Sequence, residues 1–248
     1  MSAPSSTSFR IACGTAGLVA GFGLALLFWL LLPVSSLVLP PPAAVWAQIQ
    51  DQNLLWAAFQ FLMLLVPAFL KAIIYGVTAG IVVSLSQALA AIVYPFLRVW
   101  RQLPFIALIP LFFIWFGLSL SQSGALPIVA MSLVIAVRTV ETFSPAISKD
   151  AVAIRGMGWL PESGELLRRA PRQIFPSLRE AFRVGASLII AAQLLGSTSG
   201  IGNLLMQSMQ VFDTAKVVAA VLIIWAIFVA GDVLLSGIEY VLRSRGAH

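Results

Sequence analysis

Long stretches without a charged residue constrain this sequence more than any other feature. The first, residues 11–32, runs for 22 residues with no Asp, Glu, Lys or Arg, and similar stretches recur along the 248-residue chain. A helix of about 20 apolar residues crosses the hydrocarbon core of a bilayer. Only 10% of the residues are charged, against roughly 25% in soluble domains. The sequence therefore predicts an all-α polytopic membrane protein and excludes the soluble classes.

Prolines and charges divide the chain into about six predicted transmembrane helices. The predicted spans are residues 11–32, 72–93, 103–117, 125–140, 175–196 and 217–235. Residues 54–70 are apolar but contain Pro67, so they either lie in the membrane interface or continue into the second span. The predicted organisation is a polar tail at residues 1–10, a first helix with its outer connection at 11–53, and a core at 54–245.

The positions of the basic residues predict the orientation. Placing residue 1 in the cytoplasm brings 13 of the 15 Lys and Arg residues to the inner side, which matches the excess of positive charge found in cytoplasmic loops. Lys71 and Lys216 are the two exceptions, and both are predicted to lie outside. Six spans with both termini in the cytoplasm follow from this arrangement.

Several kinds of chemistry are excluded by residues that the sequence lacks. It has one cysteine, Cys13, and one histidine, His248, so it offers no intramolecular disulfide and no basis for the usual zinc, haem or histidine-dependent sites. It also has no G-x-x-x-x-G-K-[ST] loop to hold the phosphates of ATP. We expect neither catalysis nor a directly bound cofactor.

A charged segment, residues 141–183, interrupts the apolar spans and holds half of the 24 charged residues. We expect a cytoplasmic loop with a short helix that ends at Gly158, and a further turn or two at residues 163–170 that stops before Pro171. Trp159 and Leu160 are predicted to lie at its tip. From the residues alone, a loop that binds anionic lipid and a docking element for a partner are equally supported.

A few polar residues fall within or beside the predicted spans. Arg138 and Glu141 are three residues apart and are predicted to pair, with a role on a translocation path as the alternative. Gln193 and Ser197 are predicted either to bridge helices or to line that path.

Near the last span, Asp213 is predicted to cap the helix, and Asp232 and Glu239 to pair with Arg243 and Arg245.

Several motifs together resemble the permeases of bacterial ABC importers, in the nitrate, sulfonate and taurine branch. The stretch YPFLRVWRQLPFIALIPLFFIWFG at residues 94–117 resembles their third span, and VAIRGMG at 152–158 lies where the family has E-A-A-x-x-x-G. The segments at residues 39–49 and 191–205 also resemble the family, in the expected order. The resemblance covers roughly residues 37–245.

The resemblance implies a type I importer permease in the bacterial inner membrane. Similar proteins insert a coupling helix into an ABC ATPase dimer that binds ATP and Mg²⁺, pair with a second permease subunit, and receive a small anion or polar organic solute from a periplasmic binding protein. In this chain the loop at 145–175 would dock. The implied contact residues are Asp150, Val152, Ala153, Ile154, Arg155, Gly158, Trp159 and Leu160.

The coupling motif departs from the family pattern, because Val152 replaces the glutamate, Ile154 the second alanine, and Gln193 a glutamate near the end of the fifth span. The chain is then either one half of an asymmetric permease pair or a permease-derived scaffold subunit of another complex that transports nothing. A channel or secondary carrier without ATP is the third reading, and it leaves the docking loop unexplained.

Overall fold

The structure is a computed structural model that describes residues 40–116, 124–144 and 163–245. Every regular element in these ranges is a helix. The helices are α1 (Pro42–Ile49), α2 (Gln52–Ser84), α3 (Gln87–Trp100), α4 (Phe105–Phe116), α5 (Ala125–Phe143), α6 (Ser163–Gly196), α7 (Ile201–Gln210) and α8 (Thr214–Arg245). Three of them (α2, α5 and α8) are long and apolar enough to cross a membrane alone, and up to five spans result if two bent pairs count as one each. The predicted first span, residues 11–32, lies outside the described residues.

Helix α2 confirms one of the two predicted alternatives for residues 54–70, that they continue into the second span, and it corrects the predicted end of that span. It runs unbroken from Gln52 through Pro67 to Ser84, so residues 54–70 are not a separate segment, and the second span does not extend to residue 93. A proline removes one backbone hydrogen bond, but irregular backbone exposed to lipid would leave several groups unsatisfied, so the helix continues. At its end, Leu85 and Ser86 form a break, and the Ser86 side chain caps α3 by accepting a hydrogen bond from the Leu89 amide (3.4 Å).

Helices α3 and α4 form one of the bent pairs. A break of four residues at 101–104 turns the chain by 90° between them. The predicted third span, residues 103–117, therefore corresponds to α4 alone, and α3 lies across its axis. The buried side of α3 packs against α2 and α5 through Ala90, which meets Val83 and Val140.

Helices α2, α5 and α6 form the centre of the bundle. Helices α2 and α5 run in the same direction, because Gly76 lies against Ile135 and Gly80 against Thr139. A Cβ atom on Gly76 would lie 2.7 Å from that of Ile135, so the two glycines allow the backbones to approach closely. Around this centre, α7 and α8 pack against α6, α1 packs against α8, and α4 packs against α5 and α6.

Helix α6 corrects the prediction for the charged segment. It is continuous from Ser163 to Gly196, so the turn predicted at residues 163–170 does not stop before Pro171. Its last 23 residues run antiparallel to α8, and a bend of 46° joins it to the short helix α7. The charged segment, residues 141–183, therefore contains the first turns of a helix whose later part is one half of a bent span.

Candidate functional site

Two adjoining cavities lie between α4, α6 and α8, with volumes of about 390 Å³ and 360 Å³. The larger is lined by α6 and α8, and the smaller by α6, the start of α4 and Val134 of α5. Glu180, Arg183 and Val184 line both. One face of α6 therefore forms a wall common to the two cavities.

Helix spacing brings the charged side chains of α6 and α8 together. Arg179 and Arg183 are four residues apart and share a face of α6, as Asp232, Ser236 and Glu239 share a face of α8. Arg183 Nη2 lies 2.7 Å from Asp232 Oδ1, and Arg179 Nη2 lies 2.9 Å from Glu239 Oε2. Arg179 Nη1 also donates to Ser236 Oγ at 2.8 Å. Two interhelical ion pairs thus join α6 to the C-terminal half of α8. We call this the Glu239 end of the bundle.

Arg101, in the turn between α3 and α4, adds a third pair. Its Nη2 donates to Glu180 Oε1 at 2.6 Å, across the smaller cavity. The 90° bend between the two helices places this guanidinium beside α6. Three different elements therefore contribute charge to the cavities.

Burial separates the pairs into two kinds. The Glu239 side chain is only 8% exposed, and the Arg179 guanidinium compensates its charge there. The Arg183 side chain is 60% exposed and its partner Asp232 is 37% exposed. The first pair holds the helices together, whereas Arg183 is accessible to a ligand that enters either cavity.

The cavities suit a small oxyanion or zwitterion. Guanidinium groups bind carboxylate-like oxyanions through two parallel hydrogen bonds, and Glu180 can accept from an ammonium group. Phe105, Ile106 and Leu188 supply apolar walls to the smaller cavity, and Ser187 adds a hydroxyl. In the part of the chain that the structure describes, no three His, Cys, Asp or Glu side chains converge as metal ligands would.

The predicted pair of Arg138 and Glu141 is present at the end of α5. Arg138 Nη1 lies 2.9 Å from Glu141 Oε2, and the Tyr94 hydroxyl donates to Glu141 Oε1 at 2.9 Å. Neither Arg138 nor Glu141 lines the two cavities. The pair connects α5 to α3, and its role on a translocation path stays a prediction.

Gln193 bridges α6 and α7, the first of its two predicted roles. Its side chain is 1% exposed and its Oε1 accepts from the Gly202 amide at 3.0 Å. Gly200 has a positive φ of 92°, and a Cβ there would lie 2.5 Å from Gln193 Nε2. Ser197 makes local hydrogen bonds with Ser199 in the same turn. These residues fix the bend between α6 and α7, and neither Gln193 nor Ser197 lines a described cavity.

Another ion pair marks the opposite end of the bundle. Lys216 Nζ lies 2.8 Å from Asp51 Oδ2, and the Lys216 amide donates to Asp213 Oδ1 at 3.1 Å, so Asp213 caps α8 as predicted. The hydrogen bond from the Lys216 side chain lowers the pKa of Asp51, and the Asn53 amide contributes to the same shift. We call this the Lys216 end of the bundle.

Two groups of predicted residues cannot be placed. The implied contact residues at positions 150–160 lie outside the described residues, as do the side chains of Arg243 and Arg245. In the structure, Asp232 and Glu239 form ion pairs with Arg183 and Arg179 of α6. The docking role of the loop therefore stays a prediction.

The sequence analysis missed the cavity residues Arg101, Arg179, Glu180 and Arg183. A signal for two of them exists, because the four-residue spacing of Arg179 and Arg183 complements that of Asp232, Ser236 and Glu239 on the other helix. That signal becomes usable only once α6 and α8 are known to be antiparallel neighbours.

Comparisons with known proteins give a consistent result. Residues 72–243 match the family described as binding-protein-dependent transport system inner membrane component. The chain is 27% identical over 207 residues to a taurine transport system permease protein of Escherichia coli, covering 77% of this chain and 74% of the relative. It is 26% identical over 200 residues to a putative aliphatic sulfonates transport permease protein of Bacillus subtilis, covering 77% and 71%. It is 23% identical over 175 residues to a formylaminopyrimidine transport permease protein of Halalkalibacterium halodurans, covering 69% and 70%.

Proposed function

The chain belongs to the family of binding-protein-dependent transport system inner membrane components, and on that premise we propose that it carries a small anion or zwitterion across the membrane as the permease subunit of an ATP-driven importer. Permeases of this family are integral inner-membrane subunits of ABC importers, and the apolar helices of this chain agree with that location. The proposal concerns the solute and the coupling to ATP.

The observation that carries the proposal is the pair of charged cavities between α4, α6 and α8. Charged side chains within membrane-spanning segments are costly and generally face the interior of a bundle or a water-filled space. Here three guanidinium groups, of Arg101, Arg179 and Arg183, and two carboxylates, of Glu180 and Asp232, line space of the size of a small organic solute. The names of two relatives, for taurine and for aliphatic sulfonates, support a solute with an oxyanion group.

Helix α6 supports the coupling part of the proposal. It begins at Ser163, directly after the loop that resembles the family's coupling helix, and it carries Arg183 about 30 Å farther along the same helix at 1.5 Å per residue. A movement of the loop on an ATPase would therefore displace one wall of both cavities. ATP and Mg²⁺ would be bound by that ATPase dimer, and a second permease subunit and a periplasmic binding protein would complete the importer.

The departure from the family motif at Val152 supports a competing proposal, in which the chain is a scaffold subunit of another membrane complex and transports nothing. Both readings predict a membrane complex, but only the importer reading predicts an ATPase with a nucleotide-binding loop in it. They are separated by what co-purifies with the chain.

The experiment is purification of the tagged chain from its native membranes in mild detergent, with identification of every protein that co-purifies. We expect an ABC ATPase with the unaltered chain and its loss in Arg155→Glu. The matched control is Arg245→Glu, which makes the same charge change at the end of α8 and should retain the ATPase. Recovery of a different membrane complex with no ATPase would contradict the importer proposal and support the scaffold reading.

A further inference from the structure

Helix α2 carries a polar stripe along an otherwise apolar span. Apart from Trp56, only four side chains between the first turn of the helix and Ser84 carry a polar or charged group. They are Gln60, Lys71, Tyr75 and Thr78. At 100° per residue, Gln60 and Thr78 each lie about 20° from Lys71 around the helix, and Tyr75 about 40°. All four therefore share one narrow face.

This polar stripe points away from the described bundle. Lys71, Thr78 and Tyr75 are exposed, Tyr75 to 57%, and Gln60 is partly exposed. Gly76 and Gly80, which pack against α5, lie on the opposite side of α2. One flank of the stripe is also exposed but is apolar. It consists of Met63, Leu70 and Ile81.

Lys71 lies deep between the two ends of the bundle, which corrects the prediction that it lies outside, because the helix that contains it runs on from Gln52 to Ser84. It is about 30 Å along the helix from Asp51, at the Lys216 end, and about 20 Å from Ser84 at 1.5 Å per residue. Because α2 and α5 are parallel and Gly76 meets Ile135, Lys71 is level with the buried Ala130 and Met131 of α5. Its four-carbon stem is too short to bring the ammonium to either end.

Among the residues that the structure describes, no acidic side chain is available to neutralise Lys71. Each described carboxylate has its partner elsewhere: Asp51 with Lys216, Glu141 with Arg138, Glu180 with Arg101, Asp232 with Arg183, Glu239 with Arg179, and Asp213 at the start of α8. The first 50 residues contain no Asp or Glu, so the predicted first span cannot supply one. The three other acidic residues of the sequence, Asp150, Glu162 and Glu165, follow α5 in the chain by at least seven residues.

An unpaired ammonium at this depth is costly in contact with lipid, and such residues generally face a water-filled cavity. We propose that the polar stripe of Gln60, Lys71, Tyr75 and Thr78 lines the water-filled pathway of the transporter, and that Lys71 draws anions into it. This inference rests on the proposed function. It adds a second part of the pathway, on α2, which is separate from the charged cavities near the Glu239 end. A cation beside an apolar flank favours an anionic solute over a cationic one, because opposite charges attract.

The test measures water access and local charge without requiring transport. In a Cys13→Ser background, single cysteines replace Tyr75 or Thr78 in the polar stripe and Leu70 on the apolar flank, which is 55% exposed and serves as the matched control. Membrane vesicles that contain the complete complex are treated with membrane-impermeant methanethiosulfonates, one anionic and one cationic. Denatured samples establish that each cysteine can react.

We expect the cysteines at positions 75 and 78 to react and the one at 70 to be protected. With Lys71 in place, the ratio of the anionic reagent's rate to the cationic reagent's rate should be higher at position 75 than it is without the Lys71 charge. Lys71→Gln should lower that ratio about fivefold, as expected for one unit charge at about 8 Å in a water-like medium, whereas Lys71→Arg should preserve it.

Two results would overturn this inference. The cysteine at position 75 could be as protected as the one at 70, which would place Lys71 against lipid or protein. The ratio of the two rates could also be unchanged in Lys71→Gln, which would mean that Lys71 does not set the charge of the pathway. Neither result depends on ATP or on uptake, so failure of the proposed function would be seen separately, in the co-purification.

Discussion

The polar contacts at the two ends of the bundle differ in how far apart their partners lie along the chain. Arg138 with Glu141, and Asp213 at the start of α8, were predictable because both interactions connect residues three positions apart in one helix or its cap. The pairs of Arg179 with Glu239 and Arg101 with Glu180 were not. Their partners are separated by 60 and 79 residues, and only the packing of the helices brings them together.

The pair of Asp51 and Lys216 should give a small, pH-dependent contribution to stability. Asp51→Asn keeps a side-chain oxygen for the Asn53 amide but loses the charge, so we expect a loss of up to about 1 kcal/mol at pH 7. Because the pKa of Asp51 is lower in the folded protein than in the unfolded chain, this stabilisation is present above the unfolded value of about 3.9 and disappears as the pH falls through the folded value.

Thermal unfolding of the two proteins in detergent, compared at pH 7 and at acidic pH, checks this expectation. The difference between them should shrink on acidification. Asp51→Ala also removes the cap of α2, and we expect it to cost roughly 1 kcal/mol more than Asp51→Asn at both pH values. A difference between the unaltered protein and Asp51→Asn that grows at low pH would contradict the assigned pKa shift.

Arg179 and Arg183 lie one turn apart on α6, yet their substitution should have different consequences. Arg179→Met leaves the carboxylate of Glu239 buried without the guanidinium, and we expect it to destabilise the protein by roughly 3–5 kcal/mol. Arg183→Met breaks a more exposed pair and should cost about 1 kcal/mol or less.

Unfolding in detergent measures the stability of both variants, and solute uptake by the reconstituted complex measures function. Arg183→Met should remain folded and lose uptake of an alkanesulfonate, because its guanidinium is the accessible one in both cavities. A variant that is stable and transports normally would remove Arg183 from the proposed solute path.

At the scale of helices, periodicity and composition predicted the spans but misplaced several ends. The ends of α6 at Gly196 and of α5 near residue 140 agree with the sequence, since polar or glycine-rich segments follow both. Pro67 does not break α2, because proline ends helices in water more often than in a membrane, where no other partner for the backbone is present. Pro171, in the charged first turns of α6, misled the prediction that the helix stops before it. Ser86, which caps α3, was a usable signal for the break between α2 and α3.

The contact of α2 with α5 depends on Gly76 and should not tolerate a methyl group. In Gly76→Ala the new Cβ would lie 2.7 Å from Ile135 Cβ and from the Ser132 carbonyl oxygen, so the helices must separate. We expect a destabilisation of about 1–3 kcal/mol, typical of overpacking.

Gly237 provides the control for this substitution because it also lies in a spanning helix, and nothing is found within 4 Å of a Cβ placed there. Gly237→Ala should be neutral or stabilising by up to about 1 kcal/mol, from helix propensity alone. Unfolding of the two variants in detergent makes the comparison. Equal effects would mean that the close approach of α2 and α5 contributes nothing to stability.

At the scale of the whole molecule, the charged cavities could not be predicted from the sequence. They require the 90° bend between α3 and α4, the antiparallel neighbours α6 and α8, and the shared wall at Glu180 and Arg183, and each of these is a property of packing. The sequence does contain the charges, and Lys71 with its polar neighbours could have been recognised as a stripe from helical spacing alone. What the sequence lacks is the information about which helix each charge faces.

The continuity of α6 leads to a prediction about the assembled importer. If the loop before Ser163 docks on an ATPase, movement reaches Arg183 through the intervening turns of α6. Replacing Gln173 and Ile174 by glycine weakens this stretch by up to about 2 kcal/mol of helix propensity and also removes the Ile174 side chain from the core. The change leaves in place the implied contact residues at positions 150–160 and the charged pairs. We expect the ATPase to co-purify and to hydrolyse ATP, while solute uptake per ATP hydrolysed falls several-fold in proteoliposomes.

The same change at the end of α8, with Val241 and Leu242 replaced by glycine, is the matched control. Both side chains are exposed and follow Glu239, so the ion pairs and the path from loop to cavity remain intact. This control should transport with the normal ratio. If both double variants keep that ratio, α6 is not the element that transmits the movement, and coupling must reach the cavities through the other helices that line them, α4, α5 and α8.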